Sequence, residues 1–337
     1  MIPAVSVVLP AHNAAGCIGR AVTSILRQGL ADFELILVDD GSADGTAEAA
    51  RAAARGDARL RLLRRPHGGI VAALNAGLAA ARAPVVARMD ADDEALPDRL
   101  GAQLALLRAR PEIGVASCLV EFGGDPLAAR GYALHVEWMN GLREPEAIAL
   151  NRFIESPLAH PSAMFRRELP ERHGGYAETG GPEDYELWLR WMDVGVRFAK
   201  VPRVLLRWND PPGRLSRGDP RYRVQAFYAC KCRYLARWIR RMAAGLPVLL
   251  CGAGRTTRQR FAGLEREGVP LAGFIDVDPR KVGRRVGGRP VLPVSGIPAP
   301  GTCFIIGGVG TRGEREQIRG MLAARGYGEG VDFLMAA

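Results

Sequence analysis

Two valine- and leucine-rich runs, Val5–Leu9 and Phe33–Val38, bracket a stripe of Ile18, Val22, Ile25 and Leu26 at helical spacing. Runs that are apolar on both faces suit strands covered on both sides. Strand, helix and strand in so short a span imply a parallel β-α-β unit. The alternation continues. Asp39-Asp40-Gly41-Ser42-Ala43-Asp44-Gly45 is rich in turn residues, and Thr46 suits the N-cap of an Ala-rich helix reaching Arg55. Arg59–Leu63 reads as a third strand, Gly68–Leu78 as a helix and Val85–Met89 as a fourth strand. The pattern predicts an open α/β sheet, which binds ligands at the carboxyl ends of its strands.

Three of those ends carry polar chemistry: Pro10-Ala11-His12-Asn13, Asp39-Asp40, and Asp90-Ala91-Asp92 within the acidic knot Arg88–Glu94. Clustered carboxylates repel one another and none can be buried unpaired, so the knot calls for a cation. Asp90 and Asp92, two residues apart, point the same way in an extended segment. Oxygen donors suit Mg²⁺ or Mn²⁺, ions commonly shared with substrate phosphates. A solvated acidic loop is the competing reading of such a pair taken alone, and the neighbouring strand ends weigh against it.

Together, Val5–Asn13, Phe33–Thr46, Gly68–Gly77 and Arg88–Asp93 resemble the family 2 glycosyltransferases of GT-A fold, over about residues 3–240. The resemblance implies that Pro10, Ala11, Asn13, Asp39 and Asp40 hold the nucleotide. It also implies that Asp90 and Asp92, with Ala91 between them, meet the diphosphate of a nucleotide sugar through Mn²⁺ or Mg²⁺. Pro182 suits the first turn of a helix and places Glu183 and Asp184 where the helix dipole favours carboxylates, a role that alone accounts for them. The resemblance gives Asp184 a sharper one, the base of an inverting transfer, kept ionised by the helix terminus, with Glu183 orienting it or touching the acceptor. Trp188 and Trp191 read as core packing, with a sugar-stacking platform as the competing role. Many relatives place a histidine where this chain has Trp208, Asn209 and Asp210, which leaves the third metal ligand without a candidate. Arg214 and Arg217 are expected to clamp the diphosphate, against the alternative of a basic surface loop.

Between these motifs, Pro97–Arg108 reads as an amphipathic helix, Val115–Phe122 as a strand, and His160–Arg166 as a strand with an exposed lead-in. Residues 123–151 give only a Gly-rich turn and a short helix around Glu146–Leu150, and acceptor-specific insertions are expected there. From Pro247 a second pattern begins: strand Val248–Cys251, a glycine turn, a helix to Glu267, strand Leu271–Asp276, strand Cys303–Ile306 and helix Glu314–Arg325. It approximates a dinucleotide fingerprint with Thr257 in the third glycine place. Gly252, Gly254 and Asp276 form a candidate nucleotide site, weighed against a structural or partner-docking module. The expected organisation is an α/β GT-A-type, mostly parallel sheet with flanking helices over 1–243 (nucleotide half 1–95, acceptor half 96–243), then a small Rossmann-like α/β domain over 244–337.

The net charge of +10 raises nucleic-acid binding as a possibility. The only lysines are Lys200, Lys231 and Lys281, so the charge is almost all arginine, in a chain so rich in Ala and Gly that coding bias accounts for much of it. No nucleic-acid partner is expected. Arg233–Arg241, with Tyr234, Trp238 and Ile239, reads either as a basic amphipathic helix suited to an anionic membrane surface or as a solvated basic face. No apolar run reaches spanning length and the N-terminus lacks a secretory pattern, which predicts a cytoplasmic protein or one peripheral on the inner face of the membrane. The six cysteines are scattered through apolar runs, as buried thiols are. The expected partners are a nucleotide sugar and a glycan or lipid-linked glycan acceptor, the latter by resemblance to enzymes of bacterial surface glycans; oligomeric state has no sequence signal. A nucleotidyltransferase and a non-catalytic nucleotide-sugar-binding scaffold are the alternative functions.

Overall fold

A computed structural model describes residues 2–243, 245–311 and 313–337. The chain forms two compact units: Met1–Ile148, Pro157–Thr179 and Glu183–Gly218 make the first, and Ala149–Ser156, Gly180–Pro182 and Asp219–Ala337 the second.

The first unit opens with β1 (Val5–Ala11), α1 (Ile18–Leu26), β2 (Phe33–Asp40), α2 (Thr46–Ala54), β3 (Leu60–Arg65), α3 (Gly69–Ala80) and β4 (Val85–Arg88). It continues through β5 (Glu94–Ala95), α4 (Arg99–Ala109), β6 (Ile113–Phe122), α5 (Arg130–Gly141), α6 (Pro145–Asn151, of which Ala149–Asn151 belong to the second unit), β7 (Met164–Arg166), α7 (Glu168–His173), α8 (Glu183–Asp193), β8 (Arg197–Trp208) and α9 (Leu215–Gly218). Its eight-stranded sheet runs β3-β2-β1-β4-β7-β6-β8-β5. Every residue of β1 and β2 is buried, as their unbroken apolar runs require. β3, β2, β1 and β4 are mutually parallel, β7 runs antiparallel to both β4 and β6, and β8 is parallel to β6.

This order positions the site. β4 lies inside the sheet, so the acidic knot leaves from its middle and reaches β5, which pairs with the end of β8 (Glu94 with Arg207). Because β7 runs against β4, the turn that starts it arrives beside the end of β4. That turn, His160–Ser162, is a buried 3-10 turn and not the exposed strand lead-in expected from sequence. α5 is a three-turn helix where sequence gave only a glycine-rich turn. α4 starts at Arg99, later than expected, since Asp98 takes a left-handed conformation (φ 66°). Trp188 and Trp191 are fully buried and pack edge-on 5.7 Å apart, with Phe165 5.1 Å from Trp191. They are core, as expected, and no sugar platform.

The second unit contains α10 (Val224–Met242), β9 (Val248–Cys251), α11 (Arg255–Phe261), α12 (Gly263–Arg266), β10 (Leu271–Ile275), β11 (Arg285–Val286), β12 (Arg289–Leu292), β13 (Phe304–Gly307), α13 (Glu314–Ala323) and β14 (Phe333–Met335). Its sheet order is β11-β12-β10-β9-β13-β14, parallel except for β11 against β12. α10 belongs with this unit and not with the first domain to which the sequence reading assigned it. Tyr228 packs on Phe261 and Trp238 on Phe304. Tyr234, Leu235 and Ile239 are buried, so the apolar face that would have met a membrane already lies in protein. The expected helix to Glu267 is broken between α11 and α12. Among the described residues, no helix is long and apolar enough to cross a membrane.

Two helical glycines of the first unit predict opposite responses to alanine. A Cβ on Gly77 in α3 would lie 2.3 Å from Val8 Cγ1, whereas one on Gly101 in α4 meets nothing within 4 Å. Alanine gains about 1 kcal/mol of helix propensity, but overpacking a core contact costs about 1–3 kcal/mol. Gly77→Ala should therefore lower the denaturant midpoint of the first unit, and Gly101→Ala should raise stability by about 0.5–1 kcal/mol. Equal responses in urea titrations would contradict this packing of α3 on β1.

Candidate active site

The site is built from strand ends that the topology brings to one edge of the first unit's sheet. At the end of β4, donor atoms of Asp90, Asp92 and Asp93 all lie within 4.8 Å of one another. Two buried guanidiniums brace this loop from beneath. Arg88 donates through Nη2 to Asp90 Oδ1 (2.6 Å) and through Nη1 to the Met89 carbonyl. Arg99, fully buried, donates to the Arg88 carbonyl (2.6 Å) and to Gln103 Oε1 (3.1 Å). From β8, the Asn209 amide donates to Asp93 Oδ1 (2.8 Å), and its side chain donates to the Asp92 carbonyl (2.7 Å).

The carboxylates are short of countercharge. Burial and then Asp90 push Asp92 up to about 6, against the opposing pull of Arg214. Burial, then Asp90 and Asp92, hold Asp93 well above the ordinary carboxylate range. Asp93 is 1% exposed, and among the described residues its Oδ2 has no hydrogen-bond partner. A buried carboxylate oxygen with nothing to accept from is costly, and together with two neighbouring carboxylates it forms an all-oxygen donor set that fits a divalent cation. Asp93 thus joins the expected pair, and Asn209, in the place of the missing histidine, shapes the loop through Asp93 and the backbone. Ala91 between the aspartates is half-buried.

Across from this loop, Glu183 and Asp184 open α8. Glu183 is buried and its Oε1 lies 3.9 Å from His160 Nδ1. The helix terminus does not hold Asp184 in the ordinary carboxylate range. Burial, and next the adjacent Glu183, raise it to about 7, with the Tyr185 amide and Arg88 pulling the other way. Burial and Arg88 hold His160 well below its usual value, so it is neutral.

The nucleotide-side residues also gather at this edge. Pro10 and Ala11 are buried strand residues in register with Val38 and Asp39. Asn13 takes a left-handed conformation (φ 49°), accepts from the Ala43 amide (3.0 Å) and donates its own amide to Ser42 Oγ (3.0 Å), tying the first two strand-end loops together. Asp39 accepts from the Ser42 amide (3.0 Å) and lies 3.4 Å from Arg64. Asp40 accepts from the Gly68 and Gly69 amides (3.1 and 2.8 Å) and pairs with Arg65 and His67. Its carboxylate is committed to the turn before α3, which leaves Asp39 as the freer acid. His12 and His67, which sequence reasoning passed over, stack 4.2 Å apart beside them. The two expected clamps part company. Both pair with Asp210, Arg217 closely and Arg214 through Nη1 at 4.0 Å; Arg217 lies over Tyr132, whereas Arg214 stacks on Trp208 (4.2 Å) and acts on Asp92 and Asp93.

In the second unit, Gly252 takes φ 103°, as a tight turn requires. Asp276, however, accepts from the Ala253 and Asp278 amides (2.8 and 2.9 Å) and pairs with Lys281 (3.2 Å). Both its oxygens hold the unit's own turns together, and α11, which Gly254 precedes, runs for seven residues only.

The sequence profile of glycosyl transferase family 2 matches residues 6–174. The chain is 30% identical over 211 residues to the chondroitin synthase of Pasteurella multocida, covering 60% of this chain and 20% of that one. It thus spans about a fifth of that relative's length. It is 25% identical over 244 residues to an O-antigen biosynthesis glycosyltransferase of Escherichia coli, WbnJ, covering 70% of this chain and 89% of the other. Among solved structures, a Pyrobaculum calidifontis mannosyltransferase in complex with GDP-Man and Mn²⁺ aligns with a TM-score of 0.51 at 24% identity, over 79% of this chain and 69% of that one, a likeness of fold.

A carboxyl raised above its unfolded value favours the fold while protonated. The stability contributed by Asp92 is complete below about pH 4 and is lost as pH rises through about 6. Asp92→Asn should therefore melt higher than the wild type at about pH 8 in metal-free buffer, with the difference shrinking by about pH 5. Thermal unfolding at the two pH values checks it, and a difference that does not grow with pH would contradict this reading of the loop.

Proposed function

This chain belongs to glycosyl transferase family 2, and we propose that its first unit transfers a sugar from a nucleotide-diphosphate sugar to a glycan hydroxyl with inversion. The observation that carries this reading is the pairing of an under-compensated three-carboxylate loop with adjacent Glu183 and Asp184, of which Asp184 is raised, at the same sheet edge.

Asp184 is the base. With its carboxyl held at about 7, a large share is ionised at neutral pH while it remains basic enough to take a proton. It accepts the acceptor hydroxyl's proton as that oxygen bonds to the anomeric carbon. The bond from that carbon to the diphosphate oxygen breaks on the opposite face, and its electron pair leaves with the nucleoside diphosphate. Asp90, Asp92 and Asp93 would hold a Mn²⁺ or Mg²⁺ ion, whose chemistry is Lewis-acid stabilisation of the leaving diphosphate. Arg214, whose charge already acts on Asp92 and Asp93 from beside that loop, contributes a charge-assisted donor to the same phosphates. Asp39 and the Asn13–Ser42 loops line the nucleotide side. The relatives point to a polysaccharide as acceptor, a bacterial surface glycan or its lipid-linked precursor.

Thermal shift with a panel of nucleotides and nucleotide sugars, with and without Mn²⁺, should give a cation-dependent stabilisation that Asp92→Ala abolishes. Transfer from the donor so identified should fall by about 10²–10⁴-fold in Asp184→Asn, with donor binding kept. Donor binding without hydrolysis or transfer across a broad acceptor panel would instead make the protein a binding module, and full activity in Asp184→Asn would sink the assignment of the base.

A further inference from the structure

Arg88 and His160 stand between the two halves of the site. Arg88 is 2% exposed and donates to Asp90 on one side and, through Nε, to His160 Nε2 (3.3 Å) on the other. A guanidinium only donates, so His160 Nε2 is the lone-pair nitrogen. The buried Tyr176 hydroxyl donates to the same nitrogen (2.7 Å). The ring proton therefore sits on Nδ1, which faces Glu183 at 3.9 Å. Burial opposes the charge on Arg88, but Asp90, Tyr176 and Glu183 outweigh that effect.

Building on the glycosyl-transfer reading, we propose that Arg88 and neutral His160 are positioning residues that lock the cation loop to the base. One buried guanidinium anchors Asp90 on the donor side and, on the other, orients the imidazole whose Nδ1 stands 3.9 Å from Glu183, beyond hydrogen-bond length, and it lends its positive field to Asp184. The charged and titratable groups acting on Asp184 are Glu183, Arg88 and the phenol of Tyr176, with Asp90 behind Arg88. When Asp90 is drawn onto a cation, Arg88 loses part of its countercharge and its field at Asp184 grows. Cation loading then favours the ionised base.

The test uses the full chain. In protein carrying ¹³C-labelled aspartate carboxyls, the Asp184 resonance is identified by its loss in Asp184→Asn, and its titration midpoint is expected near 7. Saturating Mg²⁺ should lower that midpoint. Arg88→Gln, which keeps polar contacts without the charge, should raise it by about one unit or more. Kinetically, His160→Leu should lower kcat by about 10–100-fold with donor KM unchanged. His160→Gln, able to accept from Arg88 and Tyr176 and to donate toward Glu183, should recover most of it. An Asp184 midpoint that stays put in Arg88→Gln and ignores Mg²⁺ in the wild type overturns the proposal. So does a His160→Gln enzyme as impaired as His160→Leu, or a loss confined to donor KM. The titration needs no turnover, so a wild type that transfers nothing defeats the functional reading while the midpoints still decide the coupling. A transferring wild type with unmoved midpoints defeats the coupling alone.

Discussion

The first unit depends on placing a positive charge where a sheet interior would normally exclude one. Arg88 ends a central strand and is buried, which is tolerable only because Asp90 compensates its charge and a backbone carbonyl and an imidazole nitrogen accept from it. Arg99 repeats the device one layer below, holding the Arg88 carbonyl. Two guanidiniums thus fix three carboxylates in a loop that their mutual repulsion would otherwise open. The compensation is incomplete: burial and their mutual repulsion keep Asp92 and Asp93 raised, which a cation held between them would relieve.

The same economy explains the arginine-rich composition. Arg166 donates to the carbonyls of Leu107, Pro111 and Ile113, and Arg190 bridges Glu186 to the carbonyls of His173, Gly174 and Gly175. In the second unit, Arg319 joins Glu316, Glu329 and Asn151. Five donors in a rigid planar fork satisfy several backbone oxygens at once in a geometry that a lysine's single nitrogen does not match. A sizeable part of the formal charge is therefore structural fastening.

The β-α-β frame was legible because its signals are local: unbroken apolar runs over β1 and β2, a helical stripe over α1, and acids placed just past strand ends. Asp90, Asp92, Glu183 and Asp184 were legible for the same reason. What stayed hidden is set by distance along the chain. His160 lies 72 residues from Arg88, and only the reversal of β7 against β4 brings them together. Asn209 reaches the acidic loop from 116 residues away. α5 escaped because its apolar face, with Val136 and Met139 buried, is interrupted by Gly131, His135 and Asn140 and follows a glycine-rich turn. In the second unit, Gly252 and Asp276 matched a ligand motif locally, but the Ala253 and Asp278 amides and Lys281 consume the carboxylate that the motif would offer.

The departure at Asn209 has a chemical consequence for the proposed cation site. A histidine there would add a nitrogen donor and draw the preference toward later transition metals. Asn209 cannot act so, because its amide is committed to Asp93 and its side chain to the Asp92 carbonyl. What it supplies is position: by gripping Asp93 through one oxygen, it leaves the other, unpartnered, with Asp90 and Asp92. The donor set that results is entirely carboxylate oxygen, hard and negatively charged, and it suits Mg²⁺ or Mn²⁺ carrying substrate phosphate oxygens in their remaining positions. The placing of Asp93 in this donor set thus depends on the residue just past β8, reaching across to the loop that follows β4.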